Sequence, residues 1–269
     1  MTRSTSHKRR YLIAGAAFLA VGVAGLGLAT FYPALGPIAG TITPQLYVDS
    51  LSGVQIPVQG RYVLVDATSA RLYMIENGRV QDSMRVIVGK PDTPTPALKS
   101  FLNYETLNPY WHVGPDLAKT IIAPRVLKDG DSYLVRQGYQ ILTSWGPEGR
   151  ILSPDSVDWK AVAAGEAQIY VRQLPGPANS LGQFKFDLPD SDGIYLHDTP
   201  KKELFAQEDR NLSHGCVRLE DAPRLARWLL GKDPPVAAAP EEHVLLPKPV
   251  PIRISYLDSR SQSLLASLR

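Results

Sequence analysis

The sequence has almost no cysteine, with Cys216 as the only one among 269 residues. A single cysteine excludes a disulfide framework and a zinc ribbon held by several cysteines. The hydrophobic fraction of 44% is too high for an intrinsically disordered chain, and the length is sufficient to bury a sizeable core. The 23 prolines and 21 glycines favour many turns and short strands over a helix bundle.

The chain also lacks an excess of basic residues beyond its N-terminus. The formal net charge is +3, but Arg3, Lys8, Arg9 and Arg10 contribute +4, and residues 1–30 contain no acidic residue. The rest of the chain therefore carries a net charge of −1. This near-neutral body gives no support for nucleic-acid binding, and no nucleic-acid partner is expected.

Residues 1–32 are predicted to be a signal anchor or a signal peptide. A basic flank precedes an apolar, uncharged run over 11–32, which is long enough to span a hydrocarbon core of ~30 Å. Gly27 and Ala29 are also compatible with cleavage after Ala29. Both alternatives place the body outside the cytoplasm, in the periplasm or cell envelope. An uncleaved anchor would make the inner membrane a partner.

The remaining chain divides into a linker, one domain and a tail. Residues 33–54 are rich in proline, glycine and small residues and are predicted to be a linker. The domain is predicted over 55–258, and residues 259–269 form a polar tail that is expected to fray. We find no internal repeat.

Short runs rich in β-formers predict a mainly β domain. They lie at 61–66, 71–75 and 80–88, and Asn77-Gly78 supplies a hairpin turn between the second and third. Further strands are predicted at 183–186, 193–197 and 252–257, with a loop over 233–242.

One helix is predicted in the C-terminal half of the domain. Asp221 is a candidate N-cap, Pro223 lies in the first turn, and Gly231 ends the helix. Leu225, Trp228 and Leu229 provide its apolar face.

The segment at 113–175 is less regular and is predicted to be a lid or binding insertion, with a short helix over 116–126 and mostly loop over 146–165. It follows an aromatic cluster that contains Tyr110 and Trp111. Two roles stay open for these rings: packing in the core and lining a substrate groove.

Cys216 and two histidines carry the chemistry. A thiol attacks as the thiolate, and a nearby imidazole usually generates it near neutral pH. His197 ends a predicted strand and can approach from a neighbouring one, whereas His214 lies two residues before the cysteine. We therefore favour His197 as the general base. The alternative is that Cys216 has a structural role, as a small hydrophobic residue buried in the core.

The neighbours of Cys216 suit a tetrahedral intermediate. The amides of Gly215 and Cys216 are candidates for an oxyanion hole, because glycine lets the backbone approach a ligand closely. Arg218 is a candidate for holding a carboxylate or for lowering the cysteine pKa, with a structural ion pair as the alternative. A zinc site formed by His197, His214 and Cys216 lacks a fourth ligand, so no metal and no cofactor are expected.

In these motifs the sequence resembles the L,D-transpeptidase catalytic domain (YkuD-type) family. The histidine of IYLHDTP (His197) and the block SHGCVRL (213–219) carry the resemblance. Further similarity to the larger Gram-negative-type members extends over about 55–258, in the segments VIVGKPDTPTP, NPYW, RQLPGPANSLGQFKF and LPKPVPIRISYL.

The resemblance implies a mainly β, β-sandwich-like domain whose insertion caps the active site. It implies that Cys216 forms an acyl-enzyme with a peptidoglycan stem tetrapeptide, that terminal D-alanine leaves with help from His197, and that the amine of a diamino acid on a second stem resolves the acyl-enzyme as a 3→3 cross-link. The residues that it assigns to the oxyanion hole or to substrate orientation are Ser213, His214, Gly215 and Arg218. Those that it assigns to the substrate groove are Trp111, Asn179 and Tyr195.

Two departures from the family pattern affect this interpretation. The segment between the leader and the domain is too short for the peptidoglycan-binding module of many larger members, so recruitment to the wall is expected to depend on the anchor and the catalytic groove. His112 replaces an expected asparagine. Hydrolysis of the same acyl-enzyme, a protein lysine as acceptor and a catalytically silent peptidoglycan-binding module all stay open.

Overall fold

The computed structural model describes residues 53–269 except residues 147, 190 and 192. The predicted leader at 1–32 and the linker up to residue 52 lie outside the described residues. Within the described part of the chain, no helix has the length and apolarity needed to cross a membrane.

The described residues form a mainly β structure, as the sequence predicts. The strands are β1 (Arg61–Asp66), β2 (Arg71–Glu76), β3 (Arg79–Gly89), β4 (Leu98–Leu107), β5 (Trp111–Val113), β6 (Tyr139–Leu142), β7 (Ile151–Leu152), β8 (Tyr170–Gln173), β9 (Phe184–Asp187), β10 (Tyr195–His197), β11 (Asn211–Ser213), β12 (Val217–Leu219) and β13 (Glu242–Ser255). The α-helices are α1 (Pro115–Leu117), α2 (Ala123–Asp129), α3 (Ser132–Gln137), α4 (Trp159–Ala164), α5 (Ala222–Leu230) and α6 (Ser259–Ser267). A π-helical turn (Ala118–Ile122) joins α1 to α2, and 3₁₀ turns lie at Pro154–Ser156 and Lys202–Ala206.

The main sheet closes on itself. Its order is β11-β3-β12-β10-β9-β4-β13-β1-β2, and β2 pairs again with β3. The closure is possible because β3 is long: residues 79–85 pair with β2, and residues 86–87 pair with β12. The strands of the main sheet therefore form one closed circuit, which leaves few free edges.

The first three strands form the predicted meander. Asn77 and Gly78 have φ values of 51° and 75°, the left-handed pair that a tight hairpin turn with the right twist requires. Alternate residues of these strands pack into the main core beneath the sheet, and the others pack into a second core on the opposite face.

The predicted C-terminal-half helix is α5. The Asp221 carboxylate accepts a hydrogen bond from the amide of Arg224, and Gly231 ends the helix with φ 73°. Leu225 and Leu229 are fully buried in the main core, while Trp228 packs at its margin.

Two expectations about the C-terminal part are wrong. The last strand begins at Glu242, inside the predicted loop, and runs for 14 residues with a register shift between Leu245 and Val250. The prolines in this stretch hide the strand in the sequence, because proline cannot donate to a ladder. The tail expected to fray forms α6, and Leu265 lies fully buried in the second core.

The insertion is more regular than the sequence predicts. It contains a four-stranded sheet in the order β5-β8-β6-β7, helices α1 to α4 and a core of its own. The predicted helix over 116–126 lies within the continuous helical segment formed by α1, the π turn and α2. The other elements have at most six residues, too few for a hydrophobic period to show.

Candidate active site

Two adjacent parallel strands bring the cysteine and the histidine together. Strand β10 pairs with β12, with His197 opposite Arg218. Because Cys216 lies two residues before Arg218, its neighbour on β10 is Tyr195, which lies two residues before His197. The sheet thus juxtaposes two groups that eighteen residues of sequence separate.

Cys216 and His197 face one cavity of about 280 Å³ between the main sheet and the insertion. The main domain contributes Tyr195, His197, Thr199, Pro200, Lys201, Ser213, His214, Cys216 and Arg218 to its wall. The insertion and the segment after it contribute Trp111, Leu117, Ile121, Tyr133, Gln137, Tyr139, Ala178, Ser180 and Leu181. The insertion therefore covers the site, as the prediction of a cap requires.

The environment of His197 fixes which ring nitrogen can act as a base. Its Nδ1 lies 2.5 Å from the carbonyl oxygen of Asp198. Since a carbonyl oxygen only accepts hydrogen bonds, Nδ1 carries the proton and Nε2 is free to accept one. Burial, together with the positive charge of Arg218, lowers the pKa of His197 to about 3, so the resting imidazole is neutral.

Cys216 rests as a thiol. Burial raises the pKa of this thiol, against the opposing effects of hydrogen bonds from Tyr195 and the charge of Arg218. The S–H group points to the carbonyl oxygen of Gly193, with the sulfur 3.7 Å from that oxygen. The site therefore lacks a preformed thiolate, and attack requires a base to take the proton.

Tyr195 and Trp111 line the cavity together with Cys216. Both neighbours act on the Tyr195 hydroxyl: Cys216 raises the pKa of Tyr195, and Trp111 lowers it. Burial strongly raises the pKa of Tyr195, so the hydroxyl keeps its proton. Trp111 also packs against Tyr139, with ring centroids 6.3 Å apart. Trp111 and Tyr195, two of the three residues assigned from the sequence to the groove, thus line the cavity.

The turn before Cys216 is held by side chains, which changes the predicted oxyanion hole. The Ser213 hydroxyl donates to the carbonyl oxygen of Cys216 at 2.6 Å and accepts from the amide of Gly215 at 3.1 Å. Thr95, a residue that we did not single out in its motif, donates to the Gly215 carbonyl at 2.7 Å. The Gly215 amide is therefore already bonded, whereas the amide of Cys216 has no acceptor among the described residues.

Glycine at 215 is required by the backbone. Its φ of +115° lies in a region that other residues rarely adopt, and an added Cβ would lie 3.2 Å from Cδ1 of Ile194. The sequence suggested that glycine lets the backbone approach a ligand at this position. In the structure, glycine is needed for the turn itself.

His214 and Arg218 provide different groups at the cavity wall. The ring of His214 is exposed, and partial burial together with Lys90 lowers its pKa. Arg218 is half-buried and forms no salt bridge with any described carboxylate. Its guanidinium is therefore available for an anionic group in the cavity.

Asn179 does not line the cavity, which corrects its assignment to the groove. Its side chain is fully buried. The amide nitrogen donates to the carbonyl oxygens of Pro109 and Leu174, at 2.9 and 3.0 Å, and the side-chain oxygen accepts from the amide of Leu181. Asn179 thus shapes the loop whose neighbours Ala178 and Ser180 reach the cavity.

His112 points away from the cavity. Successive residues of a strand face opposite sides, so His112 lies on the outer face of the small sheet while Trp111 lies on the inner face. The His112 ring contacts Trp145 edge to face, with centroids 4.8 Å apart. Histidine in place of the expected asparagine therefore changes the outer face of the insertion and not the wall of the cavity.

Sequence reasoning missed two residues that follow the histidine, Asp198 and Lys202. The carbonyl of Asp198 sets the tautomer of His197, and its carboxylate pairs with Lys202 at 2.6 Å. Asp198 belongs to the quoted motif IYLHDTP, so its position next to the base was the available signal. Within the described residues, no group of three or more histidine, cysteine, aspartate or glutamate side chains is placed to hold a metal ion.

Comparison with known proteins gives one family. The model of the YkuD L,D-transpeptidase catalytic domain matches residues 60–251. A Haemophilus influenzae protein named "Putative L,D-transpeptidase" is 34% identical over 189 residues, which cover 70% of this chain and 37% of that protein. The match thus spans little more than a third of this relative.

Solved structures of the same name are more distant. An L,D-transpeptidase from Mycobacterium smegmatis has 15% identity and a TM-score of 0.38, with 76% of this chain and 64% of that one covered. The catalytic domain of an L,D-transpeptidase from Enterococcus faecium has 15% identity and a TM-score of 0.33, with 73% and 98% covered.

Proposed function

The chain belongs to the L,D-transpeptidase catalytic domain family, and on this basis we propose that it is a peptidoglycan L,D-transpeptidase that forms 3→3 cross-links through an acyl-enzyme on Cys216. The observation that carries the proposal is that a buried neutral imidazole and a thiol line the same cavity. His197 has its Nδ1 proton bound to a backbone carbonyl, which leaves Nε2 for the thiol proton.

In the first half-reaction, a donor stem tetrapeptide acylates the enzyme. The sulfur of Cys216 bonds to the carbonyl carbon of the L,D peptide bond while its proton moves to Nε2 of His197. The oxyanion of the tetrahedral intermediate accepts from the amide of Cys216, which has no acceptor among the described residues, and from the Tyr195 hydroxyl, which lines the same cavity. The C–N bond then breaks, His197 returns the proton to the leaving amine, and D-alanine departs from the thioester.

In the second half-reaction, an amine resolves the thioester. The side-chain amine of a diamino acid on a second stem bonds to the thioester carbon, and His197 takes its proton. The C–S bond breaks, and the thiolate of Cys216 recovers the proton. Atoms and charges balance without a metal or a redox cofactor.

The cavity wall supports an anionic peptide as the substrate. Arg218 presents an unpaired guanidinium, and Trp111 and Tyr139 provide apolar surface on the insertion. We assign a stem carboxylate to Arg218, since a guanidinium binds a carboxylate through two parallel hydrogen bonds.

Export and anchoring belong to the same proposal. Peptidoglycan lies outside the cytoplasmic membrane, and the apolar run at 11–32 behind a basic flank is a means of export. We propose that this run holds the domain at the inner membrane and that the protein acts in cell wall organisation.

The test incubates the purified full-length chain with a disaccharide-tetrapeptide and follows intact mass and muropeptide products together. We expect a covalent adduct on Cys216 and a 3→3 dimer. Cys216→Ala is the matched control, because it removes the sulfur and leaves a small residue at the turn. It should show neither adduct nor release of D-alanine.

The other outcomes each change the assignment. An adduct with tripeptide as the only product would replace transpeptidation by hydrolysis. No adduct on the wild-type chain would favour the silent binding module, and D-alanine release by Cys216→Ala would remove Cys216 as the nucleophile.

A further inference from the structure

Lys202 joins the segment that follows His197 to the strand that follows Cys216. Its ammonium group donates to the carboxylate of Asp198 at 2.6 Å and to the carbonyl oxygen of Glu220 at 2.8 Å, and it lies 3.3 Å from the carbonyl oxygen of Leu219. An ammonium has three donors, and here all three have acceptors. The two carbonyls belong to the C-terminal end of β12, so Lys202 bridges the two segments that carry the base and the nucleophile.

Asp198 is held from several directions. Its amide donates to the carbonyl oxygen of Phe184 at 2.9 Å, and the amide of Gln183 donates to Oδ2 at 3.0 Å. The carboxylate fits against Gly182, where an added Cβ would lie 2.3 Å from Oδ2. The residue is 8% exposed. Its peptide plane is therefore fixed at the point where its carbonyl meets the histidine ring.

We propose that Asp198 and Lys202 form a clamp that positions the general base, by fixing the carbonyl that selects the His197 tautomer and by tying β10 to the end of β12. The inference rests on the proposed function, in which His197 is that base. Neither side chain is assigned contact with the substrate, so both are positioning residues.

The clamp differs from an ordinary surface ion pair on the same molecule. Arg227 and Asp233 also meet at 2.6 Å, but their side chains are 56% and 81% exposed. The Asp198 side chain is 12% exposed, and its pair also engages the Gln183 amide just before β9 and the Glu220 carbonyl just after β12. The exposed pair has the same nitrogen–oxygen distance and therefore provides a matched control.

The clamp also has an electrostatic role. The negative charge of Asp198 favours the protonated form of His197 and acts against the lowering of its pKa by burial. The imidazolium that forms when the thiol transfers its proton is stabilised by the same charge. Lys202 holds that carboxylate in place.

The experiment compares Lys202→Met, Lys202→Arg and Asp198→Asn with the control Asp233→Asn in the full-length chain. Single-turnover acylation by the disaccharide-tetrapeptide is measured near neutral pH. We expect Lys202→Met and Asp198→Asn to slow acylation about tenfold to a hundredfold with little change in substrate affinity, the scale expected for a small displacement of a catalytic group. Lys202→Arg should recover part of the rate, and Asp233→Asn should equal wild type.

Two readouts separate positioning from general damage. Alkylation of Cys216 by iodoacetamide at about pH 10 does not need His197, since hydroxide can take the thiol proton, and it should be equal in all variants. Nitrogen NMR of the imidazole should show the Nδ1–H tautomer of His197 in wild type and a mixed population in Lys202→Met and Asp198→Asn.

Each outcome decides the proposal. Wild-type acylation rates together with an unchanged tautomer in Lys202→Met and Asp198→Asn would overturn the clamp. Slow alkylation in those variants would also overturn it, because the damage would then reach the sulfur itself. If Lys202→Met does not fold, Asp198→Asn and Lys202→Arg decide by the same criteria. The tautomer measurement does not need activity, so a wild-type chain that fails to acylate would refute the proposed function and leave the clamp to be judged by NMR.

Discussion

At the scale of single residues, the reactivity proposed for this site comes from two neutral groups. Burial disfavours charge on both, so it raises the pKa of Cys216 and lowers that of His197. Cys216 and His197 therefore do not form an ion pair at rest. In the proposed mechanism, the thiol proton moves to His197 only when the sulfur attacks a substrate carbonyl. The hydrogen bond from His197 to a backbone carbonyl keeps the accepting nitrogen available in this state.

The acylation rate should change little between pH 7 and pH 5. With a pKa of about 3, His197 keeps its neutral form over this range. For a histidine with the ordinary pKa of about 6.5, only about one molecule in thirty would carry the neutral form at pH 5. Single-turnover mass spectrometry at the two pH values provides the measurement. A fall that follows an apparent pKa near 6.5 would contradict the buried neutral base.

Removal of each histidine should have very different effects. His197→Ala is expected to slow acylation by about 10²–10⁴, the range for loss of a general base, because no other imidazole is bound to the Asp198 carbonyl. His214→Ala should cost less than about tenfold, because its ring is exposed at the cavity wall. The same acylation assay measures both variants. The reverse order would exchange the two roles.

At the scale of elements, the parallel pairing of β10 and β12 makes the site, and the insertion covers it. Three residues of each strand suffice, since neighbours on both sides hold them in the closed sheet. The insertion has a core of its own, so its inner wall is presented by a packed unit. Trp111 reaches from this unit into the cavity that Tyr195 and Cys216 also line.

Helix α6 should contribute measurably to stability. Leu265 is fully buried in the second core, so Leu265→Ala leaves a cavity and is expected to lower the free energy of unfolding by about 2–5 kcal/mol. Urea unfolding measures the change. Leu245→Ala is the control, since Leu245 is 76% exposed and should change stability little. Equal stability of Leu265→Ala and wild type would mean that the C-terminal segment does not pack as a helix in solution.

At the scale of the whole molecule, the main sheet buries one carboxyl without a partner. Glu105 lies on β4 opposite Val244 and is fully buried, and neither carboxylate oxygen has a hydrogen-bond partner among the described residues. Burial raises the pKa of Glu105 to about 7. The folded protein therefore favours the protonated acid, which makes the stability of the entire domain depend on pH.

Stability should fall as pH rises from about 4.3 through 7. Below the pKa of about 4.3 in the unfolded chain, Glu105 is protonated in both the folded and the unfolded state, so its burial costs no ionisation energy. Above the pKa of about 7 in the folded protein, the folded state carries a buried negative charge. The difference is on the order of 3 kcal/mol. Glu105→Gln should be more stable than wild type at pH 8 and similar at pH 4, as measured by urea unfolding. Parallel pH profiles for the two proteins would refute the buried charge.

Features that depend on neighbouring residues can be predicted from the amino-acid sequence. The Asn77-Gly78 turn, the Asp221 cap and the glycine stop at 231 are local, because each follows from the φ preference or hydrogen bonding of a few adjacent residues. The family followed from the spacing of His197 and the block around Cys216, and the match over 60–251 confirms it.

Features that depend on contacts between distant residues emerge only when the chain is folded. Closure of the sheet needs β3 to pair with two strands, and the proline-rich start of β13 becomes a strand only because β4 lies beside it. The burial of Asn179 and the bond between Ser213 and the Gly215 amide also removed groups that the sequence had assigned to the site. The Asp198–Lys202 pair has the same origin: its acceptors on β12 lie 17 and 18 residues from the lysine, and the free energy of such contacts depends on burial and geometry that adjacent residues do not specify.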